Sequence, residues 1–252
     1  MANIVAPEVE LVAPKVELIA HTALANDGRS PVIEKYMTLD IDGSDPQQLV
    51  EFAGRACYQS FHKPNAKTAR NKDYLKRTLH DQGHWSIAEH ATATFYITGI
   101  SRALTHELIR HRHLSYSQLS QRFVDESEAN IVLPPAVKTA QTTIAYDTDD
   151  LDGNIEGDLP EALEWWAQDS LWNYGKVVEA LQDEGFTRKQ AREAARAVLP
   201  NMVETRIVVT GNLRAWHEVI QRRTQPDADA EFQQVAGMIR DELQQLAPAI
   251  FN

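Results

Sequence analysis

The chain has 252 residues and a formal net charge of −11. That length holds one large domain or two small ones, and so acidic a chain is a poor candidate for coating nucleic acid, which takes a broad basic surface. Its one cysteine, Cys57, excludes an intramolecular disulfide framework and a paired-cysteine metal site.

No stretch is apolar over the length that a bilayer demands, and the first residues carry neither a basic segment nor a long apolar run. No membrane partner and no secretory leader are therefore expected, and the cytoplasm is the expected compartment. Acid collects at 147–158, while arginine collects near 110 and again between 188 and 223. Uneven charge of this kind points to a local anion site and not to a nucleic-acid partner.

In chain order, residues 4–20 hold a near-repeat of Ala-Pro-Glu-Val-Glu-Leu-Val. Its alternation predicts strands, with residues 1–15 as a mobile arm and Val16–His21 as the first core strand. Residues 22–43 read as loop. Ser44, Asp45 and Pro46 start a helix with Leu49, Phe52 and Ala53 on one face, and Cys57 on it is expected as a small core residue. Residues 60–69 read as loop, and Asn71–Gln82 as a helix that Gly83 caps. His84 to His90 offers His, Glu and His, but not at the spacing of a zinc-binding helix, so no metal is expected. Ala91, Ala93, Phe95 and Ile97 alternate with threonines and Tyr96, which predicts a strand.

Gly99–His113 reads as a helix with Ser101 as N-cap, Ile100, Leu104 and Leu108 as an apolar stripe, and Glu107, Arg110 and His111 sharing a face. The serines after it predict a loop over 114–124 that runs into an extended segment reaching Val132. Residues 141–159 are acidic and aperiodic and are expected as a surface insertion. Pro160–Glu184 reads as a long helix with Leu163, Trp166, Tyr174, Val177 and Leu181 inward. Thr187 and Gln190 form a capping box ahead of a helix bearing Arg188, Arg192 and Arg196 in one stripe. Thr205–Thr210 is a strand, Asn212 caps the next helix, and Ala228–Leu246 is the last. In the Asn212 helix, Arg223 returns to the face of Leu213, Trp216 and Ile220, while Arg222 lies about 100° away. An arginine at the buried end of an apolar stripe needs an acceptor.

Arg110 to Phe123 carries three arginines, two histidines, three serines and two glutamines with no acid among them. Guanidinium forks and hydroxyls suit phosphate oxygens, and side-chain amides read a base edge. The stretch therefore fits a nucleotide. No glycine-rich dinucleotide loop and no Walker pattern occurs. Three readings follow from the residues: a nucleotide enzyme without a Rossmann crevice, a metal-dependent nucleotide phosphohydrolase using the histidines of 84–90 and 106–113, and a non-catalytic nucleotide- or RNA-binding module.

Arg110-His111-Arg112, seven residues and then Ser120, with Ser115 and Arg122 in place, resembles the signature of the flavin-dependent thymidylate synthases, in their actinobacterial form. The resemblance runs from about Phe52 to about Phe232. It implies an α+β fold of the family's own, a mixed central β-sheet flanked by helices and not a Rossmann fold, in a single domain over 1–252. It implies reductive methylation of dUMP to dTMP, with 5,10-methylenetetrahydrofolate as carbon donor, FAD as electron carrier and NADPH as its reductant. A homotetramer with active sites at subunit contacts is implied as well. By position, Ser86, Arg110, His111, Arg112, Gln118, Asn212 and Glu218 would touch flavin. Glu107, Arg110, Gln118, Leu119, Ser120, Gln121, Arg122, Arg196 and Arg223 would hold dUMP, with Arg223 as the catalytic residue. Glu218 and Asp227 stand where the family often has Asn or His, and Gln118 where it often has Glu. Cys57 lies far in sequence from the motif, so a route without a cysteine nucleophile is the economical one. Ser120 is expected to hydrogen-bond the nucleotide and not to attack it.

Overall fold

A computed structural model of the protein describes residues 9–37, 42–147 and 154–252. Its elements run β1 (Lys15–His21), α1 (Pro31–Met37), α2 (Asp45–Tyr58), α3 (Asn71–Leu75), β2 (Thr92–Ser101), α4 (Arg102–Leu108), β3 (Leu114–Gln118) and α5 (Pro135–Thr139). Then come β4 (Thr143–Asp147), β5 (Asn154–Asp158), α6 (Leu159–Asp183), α7 (Arg188–Ala195), β6 (Glu204–Asn212), α8 (Leu213–Arg223) and α9 (Ala230–Leu246). The central sheet has the order β1-β2-β6-β3. The α+β class expected from the sequence holds. The sheet, expected to be mixed, is antiparallel in all three of its strand pairings.

The core forms where the inward sides of β2 and β6 meet α8 and α9. Phe95 pairs with Val209 and Ile97 with Ile207, and all four are buried. Trp216 covers them: its indole N–H donates to the Ala93 carbonyl at 3.0 Å and its ring meets Phe95 edge-on at 5.1 Å. A buried indole thereby keeps its polar atom satisfied. Phe232, Val235, Ile239 and Leu243 close the layer from α9. Each such side chain contributes about 1.5–3 kcal/mol on leaving water.

Several boundaries differ from the sequence reading. Gly99 to Ser101 continue β2 instead of opening a helix. The pairing with β6 shifts between Ile97 and Ile100, Gly99 adopts φ +64, and its N–H donates to Glu204 at 2.9 Å. A Cβ there would run into the Ala13 carbonyl, so only glycine fits this bulge. The helix starts at Arg102 with Ser101 as its cap, as expected, accepting from the Leu104 N–H at 3.0 Å. Leu114–Gln118, expected as loop, is an edge strand whose serines point outward and whose Leu114 is buried. Residues 31–37, within the expected loop, form α1. The Asn71 helix passes into a π-turn over Lys76–Asp81 before Gly83. The acidic insertion contains a hairpin, β4 pairing with β5.

Burial also departs from pattern on two helices. On α2 the half-buried Leu49, Phe52 and Ala53 are joined by a polar stripe that is buried more deeply, Gln47, Glu51 and Arg55. Glu51 accepts from Arg55 at 2.5 Å and from Asn71 at 2.8 Å, while Arg55 also donates to the carbonyls of Ser60 and Thr68. Each buried charge is paired, as burial demands. Cys57, expected inside, is exposed at the helix end. On α6 the inward residues are Ala162, Ala167, Leu171 and Tyr174, whereas Trp166 is exposed. Residues 1–8 of the expected arm lie outside the described residues. Its later part is tied down, since Val12 donates to the Ile131 carbonyl and Ile131 donates to Glu10.

Candidate active site

The motif occupies the turn between α4 and β3. Because β3 pairs with β6, and β6 runs directly into α8, the turn lies against α8. The Tyr116 hydroxyl sits 2.7 Å from the Leu108 carbonyl and 2.8 Å from that of His111, clamping the turn from below. Burial raises this phenol to about 12, so it remains a donor at neutral pH. Gly211 on β6 lets Leu114 and Trp216 approach closely; a Cβ there would collide with Leu114 and press on Trp216.

Arg223, at the end of α8, reaches back into this turn. Its Nε donates to His111 Nε2 at 3.0 Å, its Nη1 lies 3.0 Å from Glu107 Oε2, and its face covers Phe232 at 4.8 Å. The side chain is 19% exposed, whereas Arg222 is exposed to solvent, as the helical spacing had indicated. Burial, with the Arg223 and Arg222 charges next to it, brings His111 down to about 4. His111 is therefore neutral at physiological pH. Glu107 also lies 3.6 Å from Arg110, so one carboxylate faces two guanidiniums.

In front of the turn, three adjoining hollows form one groove, with Glu218 lining all of them. The first, of about 170 Å³, holds Arg110, His111, Arg112 and Arg222. The second, of about 230 Å³, holds Glu89, Asn212 and Arg214. The third, of about 430 Å³, holds His84, Trp85, Ser86 and His217. Asn212 caps α8 as expected, accepting from the Ala215 N–H at 2.8 Å. Arg214 spans the groove from Glu89 at 2.6 Å to Glu218 at 3.3 Å. Trp85 stacks on His217 at 3.6 Å between ring centres. Burial and then His80 lower His217 to about 4.

A separate hollow of about 300 Å³ is lined by Arg102, His106, Gln121, Glu193, Arg196 and Asn201. Gln121 is 7% exposed, and the Arg102 Nη1 is buried with no hydrogen-bond partner among the described residues. A guanidinium nitrogen with spare protons at the wall of a cavity calls for an anionic oxygen.

Of the residues named from sequence, Ser86, Arg110, His111, Arg112, Asn212 and Glu218 line the groove, and Gln121 and Arg196 line the separate hollow. Glu107 and Arg223 stand against the turn. Four others line neither space. The Gln118 amide donates to Thr105 at 3.1 Å and Thr205 at 3.2 Å, and Leu119 donates to the Arg206 carbonyl. The Ser120 carbonyl closes a turn with Phe123 and Val124, and Arg122 pairs with Glu193 at 3.5 Å. Arg192, in the expected arginine stripe, is structural, donating to the Phe123 carbonyl and to Asp125. Sequence reasoning missed Arg102, Arg214 and His217, and named His106 only among the histidines of a metal-dependent hydrolase. Arg102 and His106 stand one helical turn apart, a signal that was present.

The donor set suits an extended anionic ligand carrying flat rings. Among the described residues, Arg112, Arg196 and Arg222 make no ion pair, so their forks are free for phosphate. No group of three or more His, Cys, Asp or Glu is placed to hold a metal among the described residues. No helix there is long and apolar enough to cross a membrane.

The motif and the hollows lie within a span that matches a known family. The family model for the thymidylate synthase complementing protein, Thy1, matches residues 39–249. The chain is 52% identical over 215 residues to the flavin-dependent thymidylate synthase of Mycobacteroides abscessus, covering 84% of this chain and 80% of that one. It is 47% identical over 221 residues to that of Mycobacterium tuberculosis, covering 85% and 81%. The crystal structure of thymidylate synthase X from Helicobacter pylori, with FAD and dUMP, superposes with a TM-score of 0.61 at 21% identity over 95% of this chain and 99% of that one. The match extends beyond the span marked by the motif, and the chain belongs to the Thy1 family, that of the flavin-dependent thymidylate synthases.

Proposed function

We propose that the protein is a flavin-dependent thymidylate synthase that converts dUMP to dTMP. 5,10-Methylenetetrahydrofolate supplies the carbon, and NADPH supplies the two electrons that turn a methylene into a methyl group. When bound, FAD carries those electrons as hydride. The observation that carries this reading is the Arg223–Glu107–His111 arrangement beside an arginine-lined groove.

The residues divide the work. Arg110, Arg112 and Arg222 offer forks to flavin phosphates, with Asn212 and Ser86 along the same groove. Arg196, Gln121 and Arg102 would take the nucleotide phosphate in the separate hollow. Uracil becomes nucleophilic at C5 when negative charge at N3 and O2 is stabilised. Arg223 supports that, because a guanidinium stays protonated and its fork matches two adjacent acceptors. Its partial burial strengthens the effect. No cysteine is required, and Cys57 is exposed on α2. Glu218, Gln118, Leu119, Ser120 and Arg122 belong to the proposed ligand contacts by resemblance.

The protein would act as a single domain in a homotetramer in the cytoplasm, with sites completed by neighbouring subunits. The separation of the groove from the Arg196 hollow is compatible with that assembly. The test is production of dTMP from dUMP by purified protein, with omission of FAD, NADPH or the folate in turn. Product that requires all three supports the reading, and product without FAD contradicts it.

A further inference from the structure

The Arg223 guanidinium has five N–H groups. Its Nε–H goes to His111 at 3.0 Å, one Nη1 proton faces Glu107 Oε2, and Nη2 lies 3.5 Å from the Glu107 carbonyl. One face is closed by Phe232. Among the described residues two N–H groups, one on each Nη, have no further partner and remain for a ligand. Glu107 fixes only the Nη edge. Among the described residues His111 alone accepts from the Nε–H, and so sets the rotation of the fork within the plane that Phe232 closes. Because arginine only donates, His111 Nε2 must be an unprotonated acceptor, and the ring proton sits on Nδ1. The ring is itself wedged edge-on against Phe232 at 5.9 Å.

We propose that His111 is a positioning residue, whose Nε2 anchors the Arg223 Nε–H and so aims the two free N–H groups at the nucleotide. This rests on the functional reading above and gives His111 this role in place of the flavin contact that the resemblance implies. His111 also lines the groove, so the two roles lead to different outcomes. A flavin contact would alter cofactor affinity. A positioning residue alters the rate with every ligand already bound, since a misaimed donor loses its advantage only at the transition state.

Two variants decide it. His111→Phe keeps a flat ring against Phe232 and removes the acceptor, whereas His111→Gln offers an amide oxygen. FAD dissociation constants, from flavin fluorescence titration, are expected to stay within about twofold for both. Turnover at saturating FAD and dUMP is expected to fall about tenfold or more in His111→Phe, the cost of one hydrogen bond to a charged group, and to recover in part in His111→Gln. Weakened FAD binding with unchanged turnover at saturation would overturn the proposal, as would equal turnover in both variants. Should His111→Phe fail to fold, 15N-labelled wild type carries a second readout. A hydrogen-bonded Arg223 Nε–H is expected to exchange slowly and to vanish in Arg223→Lys; fast exchange would overturn the proposal. Flavin-loaded wild type that makes no dTMP sinks the functional reading, while active wild type with equally active His111→Phe sinks only this inference.

Discussion

Arg223 and Glu107, 116 residues apart in sequence, meet twice, through the carboxylate at 3.0 Å and the backbone carbonyl at 3.5 Å. The contact joins the last residue of α8 to the last turn of α4. Glu107→Gln is expected to leave the fold intact and to lower turnover about five- to hundredfold. That is the range for a charge-assisted contact worth about 1–3 kcal/mol. Steady-state rates at saturating substrates check it; a variant at the wild-type rate would show that the carboxylate does not support Arg223.

Glu218 places an acid in all three parts of the groove, and Arg214 lies 3.3 Å from it. The guanidinium therefore offsets a charge that would repel flavin phosphates. Arg214→Gln is expected to weaken FAD binding about tenfold, and adding Glu218→Gln is expected to restore much of that loss. Titration of the single and double variants measures the coupling. Additive losses would mean that the two side chains act independently.

Arg110 and Arg112 are expected to hold flavin phosphate. Either one changed to Ala should raise the FAD dissociation constant about ten- to hundredfold, the effect of losing a charge-assisted contact. Unchanged titration curves for both would remove the motif from the cofactor groove.

β1, β2, β6 and the helix caps were legible in the sequence because each is local. Alternation marks β2 and β6, and Ser101, Asn212 and Thr187 cap the helices assigned to them. Features set by distant chain were not. Leu114–Gln118 alternates only over five residues, and its strand state comes from pairing with β6. The bulge at Gly99 depends on Glu204, 105 residues away. The buried polar stripe of α2 is completed only by Asn71, from the next helix. In the site, the dense Arg-His-Arg motif was readable, and helical spacing placed Arg223 correctly against Arg222. Arg102 was not singled out, because its meaning lies in the cavity that it shares with His106 and Arg196.

The depressed histidines set a pH dependence of stability. His111 and His217 titrate near 4 in the folded protein and near 6.5 unfolded. Between these values the unfolded chain binds more protons, so their contribution is complete above about 6.5 and is lost as pH falls towards 4. Glu126, which burial raises from 4.5 to about 7, works in the opposite sense, its contribution being lost as pH rises from about 4.5 to about 7. His217→Phe, which keeps a ring on Trp85, is expected to lose less melting temperature than wild type between pH 7 and 5. Glu126→Gln is expected to lose less as pH rises from 5 to 7. Thermal melts across these ranges check both; parallel curves for variant and wild type would contradict the assignment.

The central claim is that a guanidinium at position 223 activates the nucleotide. Its direct test is dTMP formation by Arg223→Ala and Arg223→Lys beside wild type, each with FAD occupancy confirmed by absorbance. The expected result is full flavin loading in all three, a loss of about two to three orders of magnitude in Arg223→Ala, and little recovery in Arg223→Lys, whose ammonium lacks the fork. Arg223→Ala producing dTMP at the wild-type rate with flavin bound would contradict it.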